Sequence, residues 1–191
     1  MVHTLAPAVP AGQISDGPQP ELPIDDELVL RPWRDEDAPA IVEAFSDPDI
    51  QRWHARRCDD LSVALAWLDE VRSAWRDERS ASWAVVEQAT GAVLGRAAVH
   101  LWPAEGRGEM AYWLLPAGRG RGVATRATVR VTAWAHDVGI RRVELQHSVD
   151  NPASGRVARR AGFTAEGVRR GAVQHQDGWH DMATYAHLIG D

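Results

Sequence analysis

The sequence contains no lysine; all 21 basic residues are arginine. That excludes a lysine Schiff-base nucleophile and a lysine-bearing phosphate loop of the Walker type. Coding bias, alongside the many alanines, explains the preference. Cysteine is nearly absent too. Cys58 alone rules out an internal disulfide and a cysteine zinc cluster. Its setting, RRCDD, has arginines able to lower a thiol pKa, but no nearby pattern supplies an orienting base, so it reads as an incidental thiol. No apolar run nears the roughly 20 residues that a membrane span needs. The first residues lack the charged start and long apolar core of a secretory signal. With no disulfide to call for an oxidising compartment, a cytoplasmic location is expected. The eight histidines show no H-E-x-x-H or comparable spacing, so no metal is expected. A net charge of -6 favours neither nucleic acid nor membrane as a partner.

What remains is ordinary globular material. The 45% hydrophobic and 25% charged fractions suit a soluble fold, and 191 residues suit one domain with a tail. Residues 1–24 form a tail rich in proline and alanine, and 25–191 form the domain. Pro7, Pro10, Pro18, Pro20 and Pro23 preclude a regular helix or central strand there. The tail is expected to be flexible, unless it is pinned against the domain or a neighbour.

Periodicity then gives the order β-α-α-β-β-β-α-β-α-β-β. ELVLRPW (27–33) alternates as a first strand. Asp35 caps a helix carrying Ala40, Ile41, Ala44 and Phe45. Asp60 or Ser62 starts the next, with Leu61, Leu65, Leu68, Val71 and Trp75 at helical spacing. Residues 82–88 and 92–101 form a hairpin about Ala89-Thr90-Gly91. Residues 109–115 make a strand, and a long helix from Val123 ends at Gly139. After a strand at 142–149, Asn151-Pro152 opens a helix by two signals, an Asn cap and a Pro in the first turn. Two last strands flank Gln176-Asp177-Gly178.

The most informative stretch is YWLLPAGRGRGVAT, from Tyr112 to Thr125. A strand stops, a loop with three glycines and two arginines follows, and a helix opens. Helix N-termini and glycine loops present backbone N–H groups and partial positive charge to anions. A plain tight turn does not account for glycines alternating with arginine just before a helix.

These features together resemble the GNAT N-acetyltransferase superfamily. Arg119-x-x-Gly122-x-Ala124 matches its Q/R-x-x-G-x-G/A coenzyme A signature, and YWLLP matches the strand leading into it. Asn151-Pro-Ala-Ser154, the following GF at Gly162-Phe163 and Glu166-Gly167 are similar to the branch that acetylates N-terminal amines of ribosomal proteins. RPW at Arg31 to Trp33 matches that branch's opening. The resemblance covers about Leu28 to Leu188. It implies an α/β (α+β) fold: a central mixed, mostly antiparallel sheet of about seven strands, splayed around an acyl-CoA cleft with flanking helices.

Acetyl-CoA is then the implied co-substrate. Its pyrophosphate would lie on Arg119, Gly120, Arg121, Gly122, Val123, Ala124 and Thr125. Its pantetheine arm would pair with backbone of Trp113, Leu114 and Leu115, with Asn151 near by. Arg156, Arg159 and Arg160 are candidates for the 3′-phosphate end. The acceptor is an amine, either a protein N-terminus or a small molecule such as an antibiotic, polyamine or amino acid. A non-catalytic acyl-CoA sensor on the same fold is the rival class. Related proteins are often dimers, so a homodimer is implied.

For the chemistry, Glu109 is the candidate base, because the superfamily often places one at the start of this strand. Buried partly among apolar groups, its carboxyl would have a raised pKa. Ser154 is the candidate hydrogen-bond donor to the departing thiolate, although it can equally bond local backbone. Tyr112 competes, but strand alternation points it away from the face shared by Glu109, Ala111, Trp113 and Leu115. His147 is expected to pack in the core. His54, Trp53, Trp75 and Trp102 fall where acceptor specificity is usually set.

Overall fold

The computed structural model describes residues 5–54 and 56–191. Its frame is a single eight-stranded sheet in the order β1-β2-β3-β4-β5-β6-β8-β7. The strands are β1 (Leu22–Pro23), β2 (Leu28–Pro32), β3 (Ser80–Glu87), β4 (Val93–Trp102), β5 (Arg107–Leu114), β6 (Arg142–Ser148), β7 (Thr164–His175) and β8 (Gly178–Leu188). All neighbours are antiparallel except β5 and β6. The expected count of about seven omits β1, a two-residue edge strand where Pro23 is tolerated because an edge need not donate.

The helices are α1 (Ala38–Ser46), α2 (Pro48–Trp53), α3 (Leu61–Arg76), α4 (Val123–Asp137) and α5 (Pro152–Arg160). Two apolar clusters hold them to the sheet. In one, Val123, Ala127 and Val131 of α4 and Ala158 of α5 meet Met110, Val143 and Leu145. In the other, Ile41 and Phe45 of α1 and Trp67 and Leu68 of α3 meet Trp113 and Leu115. Successive β5 side chains therefore serve opposite layers, as period-2 geometry requires.

Two local expectations change. Asp35 does not cap α1; residues 35–37 form a 3-10 turn, and α1 begins at Ala38. Asp37 is committed elsewhere: its carboxylate takes two hydrogen bonds from the Arg31 guanidinium, at 2.7 and 2.8 Å, and one from the Arg34 N–H. The buried stripe of α3 is Ala64, Trp67, Leu68, Val71 and Trp75, while Leu61 and Leu65 are exposed. Two leucines at i, i+4 suited either of two adjacent faces, and the bulk of Trp67 selects the other.

Arg31 and Asp37 are 7% and 4% exposed, so this bidentate pair is deeply desolvated. Removing one partner strands a buried charge. Asp37→Ala is expected to cost about 3–5 kcal/mol, read as a lower denaturant midpoint; a loss under about 1 kcal/mol would show the pair to be dispensable.

Residues before β1 run as a strap over the domain. Ala8 N–H and Val9 N–H donate to the carbonyls of Ala104 and Pro103. The Glu78 carboxylate accepts from the N–H groups of Gly12, Ile14 and Ser15. Val9 and Ile14 are buried in the first apolar cluster. Glu78 itself holds φ 53°, a left-handed conformation just past α3 that is costly for a side chain. Its three charge-assisted bonds offset that strain.

Candidate active site

The one parallel pairing in the sheet creates the site. β5 and β6 pair only through Arg107–Arg142, Gly108–Val143 and Glu109–Glu144. Beyond Glu109 they part, while β5 stays paired to β4 as far as Leu114 and β6 stays paired to β8. A V-shaped opening results, with Glu109 at its apex. The β5 backbone groups facing the opening lose their ladder partners, and such groups need others.

A cleft of about 720 Å³ fills this opening. Residues 109–114 of β5 form one wall, and Gln146, His147 and Ser148 of β6 with α5 form the other. The loop and first turn of α4 close one end, through Gly118, Arg119, Gly120, Gly122, Val123, Ala124 and Thr125. Asp49, Ile50, Arg52, Trp53, His54, Met182 and His175 bound it from α2 and the β7–β8 hairpin.

The glycine loop leaves its backbone open to the cleft. Gly120 and Gly122 take φ of 76° and 73°, and a Cβ on either would meet nothing within 4 Å. Both glycines are thus required by conformation, with open space before them. Among the described residues, no N–H from Gly120 to Thr125 finds a backbone acceptor; Arg126 is the first, on the Gly122 carbonyl at 3.0 Å. Free N–H groups at the head of a 15-residue helix suit a pyrophosphate. These residues fit coenzyme A.

The two loop arginines differ. Arg119 lines the cleft, and its guanidinium is held by Asp47 at 3.0 Å, Asp49 at 2.9 Å and the Leu114 carbonyl. It ties the loop to α2. Arg121 turns away, onto Glu87 at 2.7 Å and the Ala117 carbonyl, and its side chain is not part of the cleft wall. Leu115 is likewise buried under α1 and α3 rather than in the cleft. Trp113 and Leu114 do line it.

Asn151 caps α5 by accepting from the Ser154 N–H at 3.1 Å, and it also lines the cleft. Ser154 Oγ lies 2.6 Å from the Tyr112 hydroxyl. This corrects the reading of Tyr112. Alternation does set it on the face opposite Glu109, but that face is the α5 side, so its hydroxyl reaches Ser154 in the cleft wall. The splay that the resemblance implies opens the cleft to both faces of β5, a consequence that alternation alone does not carry. Two hydroxyls sharing one hydrogen bond leave one O–H hydrogen free for a ligand. Burial pushes the Tyr112 phenol up to about 12, despite the Ser154 bond acting to lower it.

Glu109 lines the cleft and has no ion pair within 4 Å among the described residues. Burial raises its carboxyl above the ordinary range, and the neighbouring Glu144 raises it further, against the pull of Arg107 and Arg169. Asp49, the other cleft carboxylate, is neutralised by Arg119.

The remaining candidates separate. Trp53 lines the cleft, under the Arg52 guanidinium at 4.6 Å. Trp75 packs on Trp134 in the core, and Trp102 lies beneath Arg107 on the outside. His147 packs on Tyr185 and donates its Nδ1–H to the Ser148 carbonyl, while its ring also meets the cleft. Arg156 and Arg160 line the cleft, whereas Arg159 contacts the Tyr185 hydroxyl. Cys58 is buried, and burial with Asp60 and Asp59 raises its thiol pKa, so its arginine neighbours do not activate it. No cluster of metal-ligating side chains occurs among the described residues, and no helix there is long and apolar enough to cross a membrane.

A sheet splayed around a cleft, with the head of a long helix at one end of it, is the arrangement expected of the acetyltransferase fold. Residues 27–164 match the acetyltransferase (GNAT) domain model, and the chain belongs to that family. It is 33% identical over 88 residues to the ribosomal-protein-serine acetyltransferase of Escherichia coli, covering 46% of this chain and about half, 49%, of that relative. Among solved structures, RimL, a ribosomal L7/L12 alpha-N-protein acetyltransferase in complex with coenzyme A, superposes with TM-score 0.81 at 22% identity, over 88% of this chain and 98% of that one. The microcin C7 self-immunity acetyltransferase MccE, in complex with acetyl-CoA and AMP, gives 0.80 at 20% identity, over 87% and 94%.

Proposed function

We propose that the protein acetylates a primary amine, a protein or peptide N-terminal amine in particular, by direct transfer from acetyl-CoA in a ternary complex. One observation carries the reading: Glu109 and the Tyr112–Ser154 pair line the same cleft as the glycine loop. A sensor has no use for that combination. The relative that acetylates ribosomal-protein serine supports the acceptor class.

In this reading the N–H groups of residues 120–125 hold the pyrophosphate, and Arg119 steadies their loop. The freed β5 backbone at Trp113 and Leu114 pairs with the pantetheine, Asn151 contributes its amide, and Arg156 and Arg160 face the 3′-phosphate end. Glu109 takes a proton from the attacking amine, directly or through a water. The amine nitrogen bonds the thioester carbonyl carbon as the carbon–sulfur bond breaks. The Tyr112–Ser154 pair then meets the thiolate. A thiol is a far stronger acid than a phenol at about 12, so full proton transfer from Tyr112 would be uphill by roughly 5 kcal/mol against a thiol pKa of about 8.5. The pair therefore donates a hydrogen bond, and the thiolate is protonated by the proton that left the attacking nitrogen, passed on by Glu109 or water, so that the products are the amide and the free thiol.

Tyr112→Phe and Ser154→Ala each leave one hydroxyl whose O–H can still donate, so each is expected to lower kcat only about threefold, while the double variant, which removes every O–H, falls by about thirtyfold or more, beyond the product of the two. Full additivity would mean two independent donors. The acceptor itself is tested by incubating acetyl-CoA with N-terminal peptides and small amines and measuring thiol release. Turnover of small amines with none of peptides would overturn the peptide reading. Residues 25–191 as the acetyltransferase domain, with the preceding segment packed on it as a strap, a cytoplasmic location and a homodimer belong to the same proposal.

A further inference from the structure

A smaller cavity of about 270 Å³ adjoins the cleft between α2 and the β7–β8 hairpin. Arg52, His54, Arg57, Gln174, His175 and Gln176 line it, and Arg52, His54 and His175 line the main cleft too. Two guanidiniums and two amides meet there, and no carboxylate is in the wall. Asp177, outside the wall, lies 3.4 Å from Arg52, but it is shared with His180 Nε2 at 2.8 Å. Arg57 has no ion pair among the described residues. His175 Nε2 is buried without a hydrogen-bond partner there. Burial, with Arg96 near by, holds the His54 pKa at about 4, so this ring is neutral and contributes hydrogen bonding rather than charge. Like charges gathered around a polar space repel unless an anion joins them.

The main cleft supplies the opposite sign. Glu109 is its only carboxylate without a cationic partner, since Asp49 is bound to Arg119. An amine at Glu109 and an anion at the arginines would complement both ends of one molecule. The cleft and the side cavity share Arg52, His54 and His175 in their walls, so a side chain carried near the reacting amine has an open way from one space into the other. At about 30 Å³ per water, 270 Å³ has room for a carboxylate side chain or a phosphate with its hydration.

Building on the acetyltransfer reading above, we propose that the side cavity takes a carboxylate or phosphate carried close to the reacting amine, making the preferred acceptors acidic. The test compares peptides identical except for Glu, Gln or Lys at the second position, with acetyl-CoA, and adds free glutamate and glutamine as small-amine arms. The Glu peptide is expected to exceed the Gln peptide at least about tenfold in kcat/KM at low salt, with the gap shrinking at about 0.5 M salt. Arg57→Glu is expected to invert the order toward the Lys peptide. Because each ratio is taken within one protein sample, partial misfolding cancels. Glu, Gln and Lys peptides acetylated within twofold of one another, or a Glu preference that survives Arg57→Glu, would overturn the inference and leave acetyl transfer intact. Glutamate turned over above glutamine with every peptide silent would support the cavity and overturn the peptide acceptor. Silence from every amine in a protein that binds acetyl-CoA would overturn both.

Discussion

Gly122→Trp is expected to weaken coenzyme A binding at least about a hundredfold, the loss of two charge-assisted hydrogen bonds of about 1.5 kcal/mol each. The direction follows from two separate facts. Gly122 holds φ 73° as the residue before α4, where an L side chain is strained. The space before it is open, so an indole there would occupy the volume that a pyrophosphate needs. Gly122→Ala separates the effects: it keeps the strain and leaves most of the space. Binding by calorimetry should fall in the order wild type, Ala, Trp, while the far-UV spectrum holds. Wild-type affinity in the Trp variant would sink the pyrophosphate assignment.

Glu109→Gln should cost about a hundredfold in turnover at pH 7, and much less near pH 9. An α-amine, with a pKa of about 8, is largely neutral by then and needs less help from a base. The wild-type rate should rise with pH through a step above 4.5, the ordinary glutamate value, because burial and Glu144 raise this carboxyl. Stability should move the other way. A carboxyl with a raised folded pKa holds its proton more tightly in the folded state, so stability falls as pH climbs from the unfolded to the folded value. The Gln variant escapes that loss and should melt higher than wild type at neutral pH. Lower activity with higher stability marks a functional carboxylate; an unchanged pH–rate profile would argue against a base.

Much of this site was legible in the chain because it depends on local chemistry. Glycines at 118, 120 and 122 before a helix announce an anion site through backbone geometry alone, and Asn151-Pro152 announces a helix start. The order of most elements along the chain followed from the same local punctuation. Tyr112 was misjudged because alternation reports which face a side chain takes, whereas the splay of β5 from β6 decides whether that face meets the cleft. The motif position of Arg121 says nothing of Glu87, 34 residues earlier, on which its guanidinium rests. Asp35 read as a helix cap because it stands just before an apolar stripe, whereas the acid that the fold buries there is Asp37, taken by Arg31. Val9 and Ile14 were illegible for a simpler reason. Isolated apolar residues among prolines carry no period, and their burial depends on Glu78 and a loop near residue 103.

That strap bears on the order in which the protein is made. Val9 and Ile14 leave the ribosome well before the residues that receive them: Glu78 lies 64 residues beyond Ile14, and Pro103, on the loop that takes Val9, comes later still. Two apolar side chains of the finished core therefore wait for their partners during synthesis. Contacts of such long sequence separation form late because loop closure must precede them. The prolines around them keep the waiting segment from forming helix or central strand meanwhile. A stretch that looks featureless when read alone is thus suited to staying uncommitted until the sheet exists to receive it.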